Sequence, residues 1–358
     1  MNTIGTALRL TLFGSSHGPG VGGVLDGCPS GIAISEASIQ SDLDLRKPSA
    51  GIGTARAETD RVEIQSGIKE GRTTGAPIQF FLRNEDKDSS KYETFRSMPR
   101  PGHADYPALV KYGEGHDIRG GGQFSGRMTA PIVAAGSVAK ALLALKEVRV
   151  AAYSQSIGQV VDEEERDLVQ ATESRRYATR ACDAIIADRM QAEIMKAKTE
   201  GDSVGGVVRC LAINLPVGVG EPFFDSLDGE LAKMLFAIPA VKGVEFGAGF
   251  RAAKLKGSEN NDPFRVKDGK VVTTTNHAGG ILGGLSDGMP IDVKVAFKPT
   301  ASISKEQRTV DLGKMKNAII KVEGRHDPCI VPRAVIVVEA AVALVLADLS
   351  LRGGFLAR

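Results

Sequence analysis

The sequence predicts a single large domain of the α+β class. Short alternating segments typical of strands are interspersed with longer segments typical of helices, and no low-complexity linker divides the 358 residues. Hydrophobic residues make up 42% and charged residues 25%, which is the composition of a globular protein. At this size a folded chain buries roughly 75% of the surface that its unfolded form exposes, so the core needs no disulfide or metal to hold it.

The N-terminal part of the chain is expected to alternate between strands and glycine-rich turns. Residues 7–13 alternate as a strand does, and residues 14–23 form a glycine-rich loop. Gly27, Pro29 and Gly31 exclude a helix from residues 24–34. Ser35 is a good N-cap for a helix that continues to about Leu45. Further strands are expected at residues 61–66 and 77–83, followed by a polar, mobile segment at 84–101.

The remainder of the chain carries the longer helices. Residues 129–146 and 331–351 are expected to be buried helices, and residues 227–237 a third helix. Residues 183–198 place Ile185, Ile186, Met190 and Ile194 on one apolar face. Residues 162–167 are strongly charged and are expected to form solvated surface. Strands are expected at 204–213, 271–275 and 291–297.

Composition and spacing exclude several classes of protein. The net charge is only +2, so non-specific attraction to nucleic acid or a membrane is not expected. The four cysteines are far apart and form no C-x-x-C pair, which argues against a zinc site and a disulfide scaffold. Residues 331–351 are interrupted by Arg333, Glu339 and Asp348, and therefore fall short of a membrane span. With no signal peptide visible, we expect a cytoplasmic protein without metal.

All five histidines occur in segments that glycine or proline marks as loops. They are His17, His103, His116, His277 and His326. A single loop histidine is usually structural, but five such placements favour a functional role. No H-x-x-x-H or H-E-x-x-H spacing occurs, so acid–base catalysis is a better use for them than zinc binding.

Arginines accompany the same loops. Guanidinium groups form bidentate hydrogen bonds with phosphate and carboxylate, so glycine-rich backbone beside arginine indicates an anionic ligand. The arginines concerned are Arg46, Arg56, Arg100, Arg119, Arg127 and Arg325.

One glycine motif is misleading. Gly18, Gly20 and Gly23 satisfy G-x-G-x-x-G after a predicted strand. A dinucleotide-binding fold needs the last glycine to open a helix, and residues 26–31 cannot form one. No P-loop sequence occurs either. The motif therefore does not indicate a Rossmann domain.

Three segments together resemble chorismate synthases. They are residues 13–29 (FGSSHGPGVGGVLDGCP), residues 119–129 (RGGGQFSGRMT) preceded by 100–105 (RPGHAD), and residues 324–329 (GRHDPC) followed by 338–340 (VEA). Supporting stretches occur at 240–245 (AVKGVE), 257–263 (GSENNDP), 279–284 (GGILGG) and 298–300 (KPT). The resemblance extends from about residue 4 to 350, and the joint order and spacing make it specific.

The resemblance implies a β-α-β sandwich, with helices between antiparallel sheets, and a homo-oligomer, a tetramer being favoured over a dimer. It implies 5-enolpyruvylshikimate 3-phosphate as substrate and chorismate and phosphate as products. Reduced FMN would be an obligatory cofactor that is not consumed, and NADPH a candidate reductant of the flavin. The substrate carries roughly four negative charges near neutral pH, which explains the need for several arginines.

The resemblance also assigns roles to residues. His17 would protonate the departing phosphate with help from Ser16, His103 would tune the protonation of the flavin, and Asp327 would take part in proton removal. Ser125 would join the catalytic group. Substrate would be bound by Arg46, Arg56, Arg100, Arg127 and Arg325. FMN would be contacted by Gln123, Phe124, Ser125, Pro239, Ala240, Gly283, Lys298, Pro299, Thr300, Ala301, Ser302 and Arg325.

Three positions depart from the family pattern. The family usually has Glu where Ser15 stands and Arg where Gln123 stands, and an arginine expected after Pro48 is replaced around Ile52. Two other functions fit the same residues. A flavin-dependent oxidoreductase acting on another anion would consume reduced flavin stoichiometrically. A non-catalytic binder of phosphorylated metabolites would bind without releasing phosphate.

Overall fold

The computed structural model describes residues 2–48, 51–53, 59–85, 92–324 and 326–357. Within these ranges the α-helices are α1 (Glu36–Arg46), α2 (Thr94–Ser97), α3 (Asp105–Tyr112), α4 (Ala130–Ala144), α5 (Leu168–Glu173), α6 (Ala184–Thr199), α7 (Leu227–Phe236), α8 (Gly257–Asn260) and α9 (Val331–Arg352). Short 3₁₀ segments occur at Gly113–Gly115, Arg119–Phe124, Gly126–Thr129, Ser174–Arg176 and Gly249–Lys254, and that at Arg119–Phe124 is interrupted by non-helical backbone at Gly120–Gly122.

Two five-stranded antiparallel sheets form the outer layers. The first sheet has the spatial order Thr3–Ile4, Arg9–Gly14, Gly20–Asp26, Ile78–Arg83 and Val62–Ser66. The second has the order Val241–Phe246, Ile291–Phe297, Gly206–Ile213, Arg149–Ile157 and Val160–Val161. Four hairpins are separate: Ile68–Lys69 with Arg72–Thr73, Phe264–Lys267 with Lys270–Thr273, Ile281–Leu282 with Leu285–Ser286, and Glu306–Asp311 with Lys316–Lys321.

Helices fill the space between the two sheets. Helix α4 packs on the first sheet, α9 packs on the second, and α1 and α7 flank them. Helices α4 and α9 touch at Gly136, where an added Cβ would lie 2.3 Å from the Cβ of Ala340. Glycine therefore sets the close approach of the two central helices. This arrangement confirms the α+β class and the β-α-β sandwich.

Helix α9 is the centre of the core. By length and composition it could cross a membrane, but its most apolar stretch is entirely buried in the fold. The charges that were expected to exclude a membrane span are satisfied internally. Glu339 accepts from Lys140 at 2.8 Å and from Arg175 at 2.7 Å. Asp348 accepts the backbone N–H groups of residues 6–8.

Several local predictions are confirmed. Ser35 caps α1 and accepts a hydrogen bond from the Ser38 N–H. The helix expected at 183–198 is observed as Ala184–Thr199, and Asp183 caps it in the same way. Such caps satisfy N–H groups that a helix leaves unpaired, which is why they locate helix starts well.

Other local predictions are wrong. Residues Gly20–Asp26, expected to lie partly in a loop, form a central strand in which glycine makes room for aromatic rings. A Cβ on Gly22 would lie 2.3 Å from the Phe13 ring. On α6, Ile185 is 74% exposed, so the buried face of the helix includes Met190 and Ile194 but not Ile185. Asp162 is buried and paired with Arg166, although its segment was expected to be solvated.

Candidate functional site

The described residues enclose a cavity of about 750 Å³, within the usual range for a small-molecule site. It brings together many of the residues expected from the sequence, although these are separated by up to almost 300 positions in the chain. Those that line it are Arg46, His103, Gln123, Phe124, Ser125, Arg127, Pro239, Ala240, Lys298, Thr300, Ala301, Ser302 and Asp327.

Glycine shapes one wall of the cavity. Gly120, Gly121 and Gly122 have φ values of +60°, +82° and +52°, a conformation that residues with a Cβ rarely adopt. The turn they form precedes α4 and presents Ser125 and Arg127 to the cavity. A Cβ on Gly120 would lie 2.2 Å from the His17 ring, so the turn packs directly against that histidine.

The lining is strongly cationic. In the described parts of the chain it contains six lysine or arginine residues and two aspartates: Arg46, Lys47, Arg127, Lys242, Lys298 and Arg333, with Asp60 and Asp327. Cations in excess within a concave site attract anions, because the low-dielectric walls weaken solvent screening. The cavity is therefore suited to an anionic ligand.

Asp60 joins two of the predicted substrate-binding arginines. An Nη atom of Arg46 lies 2.5 Å from one carboxylate oxygen, and Arg127 donates to the other. All three side chains are buried. The backbone of Asp60 accepts from Gln40 of α1 at 3.1 Å, which holds the aspartate in place. Sequence reasoning did not identify Asp60, because no motif marked it.

Arg127 is also linked to the His17 loop. Its Nε atom donates to the side-chain oxygen of Asn84 at 2.9 Å. The Asn84 amide donates in turn to the backbone oxygens of Ser15 and Gly18. Asn84 was expected to lie in a mobile polar segment, but it is buried and connects these two parts of the site.

His103 lies in a compact ionic cluster. Its Nδ1 atom is 2.6 Å from Asp105, and Asp105 also accepts from Arg100 at 2.8 Å. Burial alone would raise the pKa of Asp105, but hydrogen bonds from Arg100 and His103 outweigh it and hold that pKa well below its usual range. Arg100 does not line the cavity. It contacts Ser302 at 3.1 Å and stacks over Phe95.

Asp327 is held by an arginine that the sequence did not single out. Arg333, in the first turn of α9, donates to Asp327 at 2.8 Å and to the backbone oxygen of Arg46 at 3.1 Å. Thr300 donates to the backbone oxygen of Asp327. These contacts position the carboxylate at the cavity wall.

His17 and Ser16 lie behind the lining rather than in it. The His17 ring meets Tyr92, a lining residue, edge to face at 5.1 Å. Ser16 is fully buried, and its hydroxyl has no hydrogen-bond partner in the described structure. A Cβ on Gly120 would lie 2.7 Å from that hydroxyl, so Ser16 and His17 share the glycine turn.

Other residues singled out from the sequence do not line the cavity or lie outside the described residues. Gly283 is at the tip of the Ile281–Leu282 hairpin and does not line the cavity, and Pro299 lies between two residues that do. Ile52, at the altered loop, is a buried core residue. Arg56 and Arg325 lie outside the described residues.

Known proteins are similar to this chain over nearly its whole length. The family model described as chorismate synthase matches residues 8–351. A protein named chorismate synthase from Dehalococcoides mccartyi is 51% identical, covering 100% of this chain and 98% of the relative. One of the same name from Archaeoglobus fulgidus is 52% identical, covering 100% and 99%. A solved structure titled "Crystal Structure of Chorismate Synthase" has a TM-score of 0.79 at 30% identity, covering 98% of this chain and 93% of that one.

Proposed function

The chain belongs to the chorismate synthase family and is a lyase of that family, and from this premise we propose that it converts 5-enolpyruvylshikimate 3-phosphate into chorismate and phosphate. The reaction would be a 1,4-anti elimination with reduced FMN as a cofactor that is not consumed. The observation that carries the proposal is a cationic cavity that His103, Ser125 and Asp327 all line.

The residues present fit a flavin together with an anionic substrate. The cavity is large enough for a drug-sized ligand, and its lining combines the apolar residues Pro239 and Ala240 with cationic side chains. Lys298, Thr300, Ala301 and Ser302 would hold the FMN, together with Gln123, Phe124 and Ser125 on the facing turn. Gly283, Pro299 and Arg325 remain proposed contacts on the strength of the family resemblance.

When bound, reduced FMN would supply the electronic step of the elimination, since the departing hydrogen is not beside a carbonyl. The protein's own groups bind, orient and exchange protons. Arg46 and Arg127 hold anionic groups of the substrate, and Asp60 fixes both guanidiniums. Arg56 and Arg325 are proposed to add to this charge.

Proton transfers are assigned to three side chains. His17, with Ser16 beside it, is proposed to protonate the departing phosphate. His103 would set the protonation state of the cofactor, with Arg100 acting through Asp105 and Ser302 rather than on the substrate directly. Asp327 would take part in removing the proton from the substrate, and Arg333 orients its carboxylate.

We also propose a homotetramer in the cytoplasm. Several large apolar side chains are exposed on the described chain and could be covered by other copies, among them Phe223, Phe224 and Phe250 at 93%, 97% and 81% exposure. NADPH is proposed as a reductant of the flavin.

An anaerobic phosphate-release assay on 5-enolpyruvylshikimate 3-phosphate tests the function. We expect many turnovers per reduced FMN, with no net oxidation of the flavin. Assays with oxidised FMN and without flavin are the controls. Equal phosphate release in all three would remove the flavin from the reaction, and stoichiometric oxidation would indicate an oxidoreductase. Adding NADPH with oxidised FMN tests self-reduction separately.

A further inference from the structure

We infer that Lys242 and Lys298 form a binding site for a phosphate monoester dianion, and that a β-bulge directs the Lys242 side chain into it. The inference rests on the proposed function, because both the proposed cofactor and the proposed substrate carry such a phosphate. It adds Lys242, a residue to which the sequence assigned no role.

The bulge is explicit in the strand register. In the pairing of Val241–Phe246 with Ile291–Phe297, Val241 lies opposite Phe297, and Gly243 lies opposite Ala296. Lys242 is therefore the extra residue on its strand. A bulge interrupts the alternation of side chains and redirects one of them, and bulges are common next to active sites. Here the redirected side chain belongs to a residue that lines the cavity.

Lys298 stands at the adjacent strand end. It directly follows Ile291–Phe297, and its backbone N–H donates to the Ala240 oxygen at 3.0 Å. Its Nζ atom donates to the Gly102 oxygen at 2.9 Å, on the loop that carries His103. The two lysines therefore flank the same strand pair and face the same cavity.

Ion pairing distinguishes these two lysines from the other cationic residues of the cavity. Arg46 and Arg127 share Asp60, Arg333 pairs with Asp327, and Lys47 pairs with Asp44. Among the described residues, no carboxylate forms an ion pair with Lys242 or Lys298.

The electrostatic consequence is visible at Lys298. Burial lowers its pKa below the ordinary value, and the nearby positive charge of Lys242 lowers it further. A bound anion would relieve both effects. A phosphate monoester carries a charge of about −1.5 to −2 at pH 7, which two lysines neutralise.

Three variants test the inference. Lys242→Met removes the charge and keeps the apolar stem, Lys242→Arg keeps a charge, and Lys254→Met is a matched control on an exposed lysine that does not line the cavity. Dissociation constants are measured for FMN and riboflavin by flavin fluorescence, and for 5-enolpyruvylshikimate 3-phosphate and inorganic pyrophosphate by calorimetry. Thermal unfolding checks that each variant is folded.

If the site holds the cofactor phosphate, Lys242→Met weakens FMN roughly tenfold and leaves riboflavin unchanged. If it holds the substrate phosphate, the same variant weakens the substrate and spares FMN. In either case Lys242→Arg retains most of the affinity for that ligand, and Lys254→Met leaves all of the dissociation constants unchanged. Unchanged binding of FMN, substrate and pyrophosphate would overturn the inference, and so would equal weakening of FMN and riboflavin.

Failure of the proposed function looks different. In that case the wild-type protein would bind neither flavin nor the substrate. Pyrophosphate binding would then still decide the inference: loss in Lys242→Met supports a phosphate site, and retention overturns it.

Discussion

The Nδ1 atom of His103 lies 2.6 Å from a carboxylate oxygen of Asp105. The Nη2 atom of Arg100, which can only donate, lies 3.1 Å from the same Nδ1. We assign the proton to Nδ1 because its contact with the ionised carboxylate, which only accepts, is the shorter one, and this leaves Nε2 for exchange. Nε2 faces Gly121 in the glycine turn beside the cavity. Asp105 thus acts as a positioning residue for His103.

Replacing Asp105 with Asn should lower kcat by about tenfold to a hundredfold, because the imidazole loses its charged orienting partner. The pH–rate profile of phosphate release should shift as well, which a purely structural defect would not produce. Asp26→Asn, in an exposed ion pair with Arg9, is the control and should be neutral. An Asp105→Asn enzyme with normal kcat and an unshifted profile would contradict this role.

Asp105 should also make stability depend on acid pH. Its pKa is depressed in the folded state, so its ionised form stabilises the fold above the ordinary pKa of about 3.9. That contribution is lost as the pH falls through the depressed value. The difference in unfolding free energy between wild type and Asp105→Asn should therefore be constant from pH 5 to 7 and shrink below about pH 4. Urea titrations across that range measure it, and a difference independent of pH would refute the linkage.

His17→Ala and His103→Ala should each reduce turnover by about 10²–10⁴, the usual effect of losing a general acid or base. Both residues lie in loops, so the fold should survive. Circular dichroism and flavin affinity establish that the variants are intact before turnover is compared. Near-normal turnover in both folded variants would show that the assigned roles are wrong.

Asp60→Asn should destabilise the protein by about 3–5 kcal/mol, because it leaves the buried Arg46 and Arg127 without their shared carboxylate. Glu63→Gln is a matched control, since Glu63 pairs with Arg83 at the surface. Exposed pairs are worth about 0–1 kcal/mol. Chemical denaturation measures the free energy of unfolding of both variants. Equal losses of stability would mean that removing the buried carboxylate charge costs no more than removing an exposed one.

Gln123→Arg should tighten FMN or substrate binding about tenfold, because a charged donor replaces a neutral amide. Gln123 is exposed and lines the cavity, so an arginine can be accommodated there without repacking. Titration of FMN, with and without substrate, tests this. If neither affinity changes, the departure from the family pattern at this position has no bearing on ligand binding.

The sequence correctly predicted those helices and strands whose bounds are determined by residues close together in the chain. The strand Ile291–Phe297 has the expected bounds, and Ser35 caps its helix as expected. The glycine-rich segment Gly20–Asp26 was expected to lie partly in a loop, but it forms a strand whose glycines pack against aromatic rings of neighbouring strands. The strand Arg149–Ile157 was not predicted, since it follows closely on a long apolar helix and has no clear alternation.

The site likewise contains residues that the sequence predicted and residues that it did not. Family motifs identified the residues expected to touch ligands, and most of these meet in the cavity. They did not identify Asp60, Asn84 or Arg333, whose importance lies in which side chains they hold. Neither pattern nor motif could reveal the bulge at Lys242, because strand register is a long-range property.

The position of α9 has a consequence for biosynthesis. Translation releases residues in chain order, so both sheets leave the ribosome before the helix that fills the space between them. Until then the second sheet lacks the long helix that packs on it, and the nascent chain would be a substrate for chaperones. The final collapse of the core should therefore occur only after residues 331–352 have emerged.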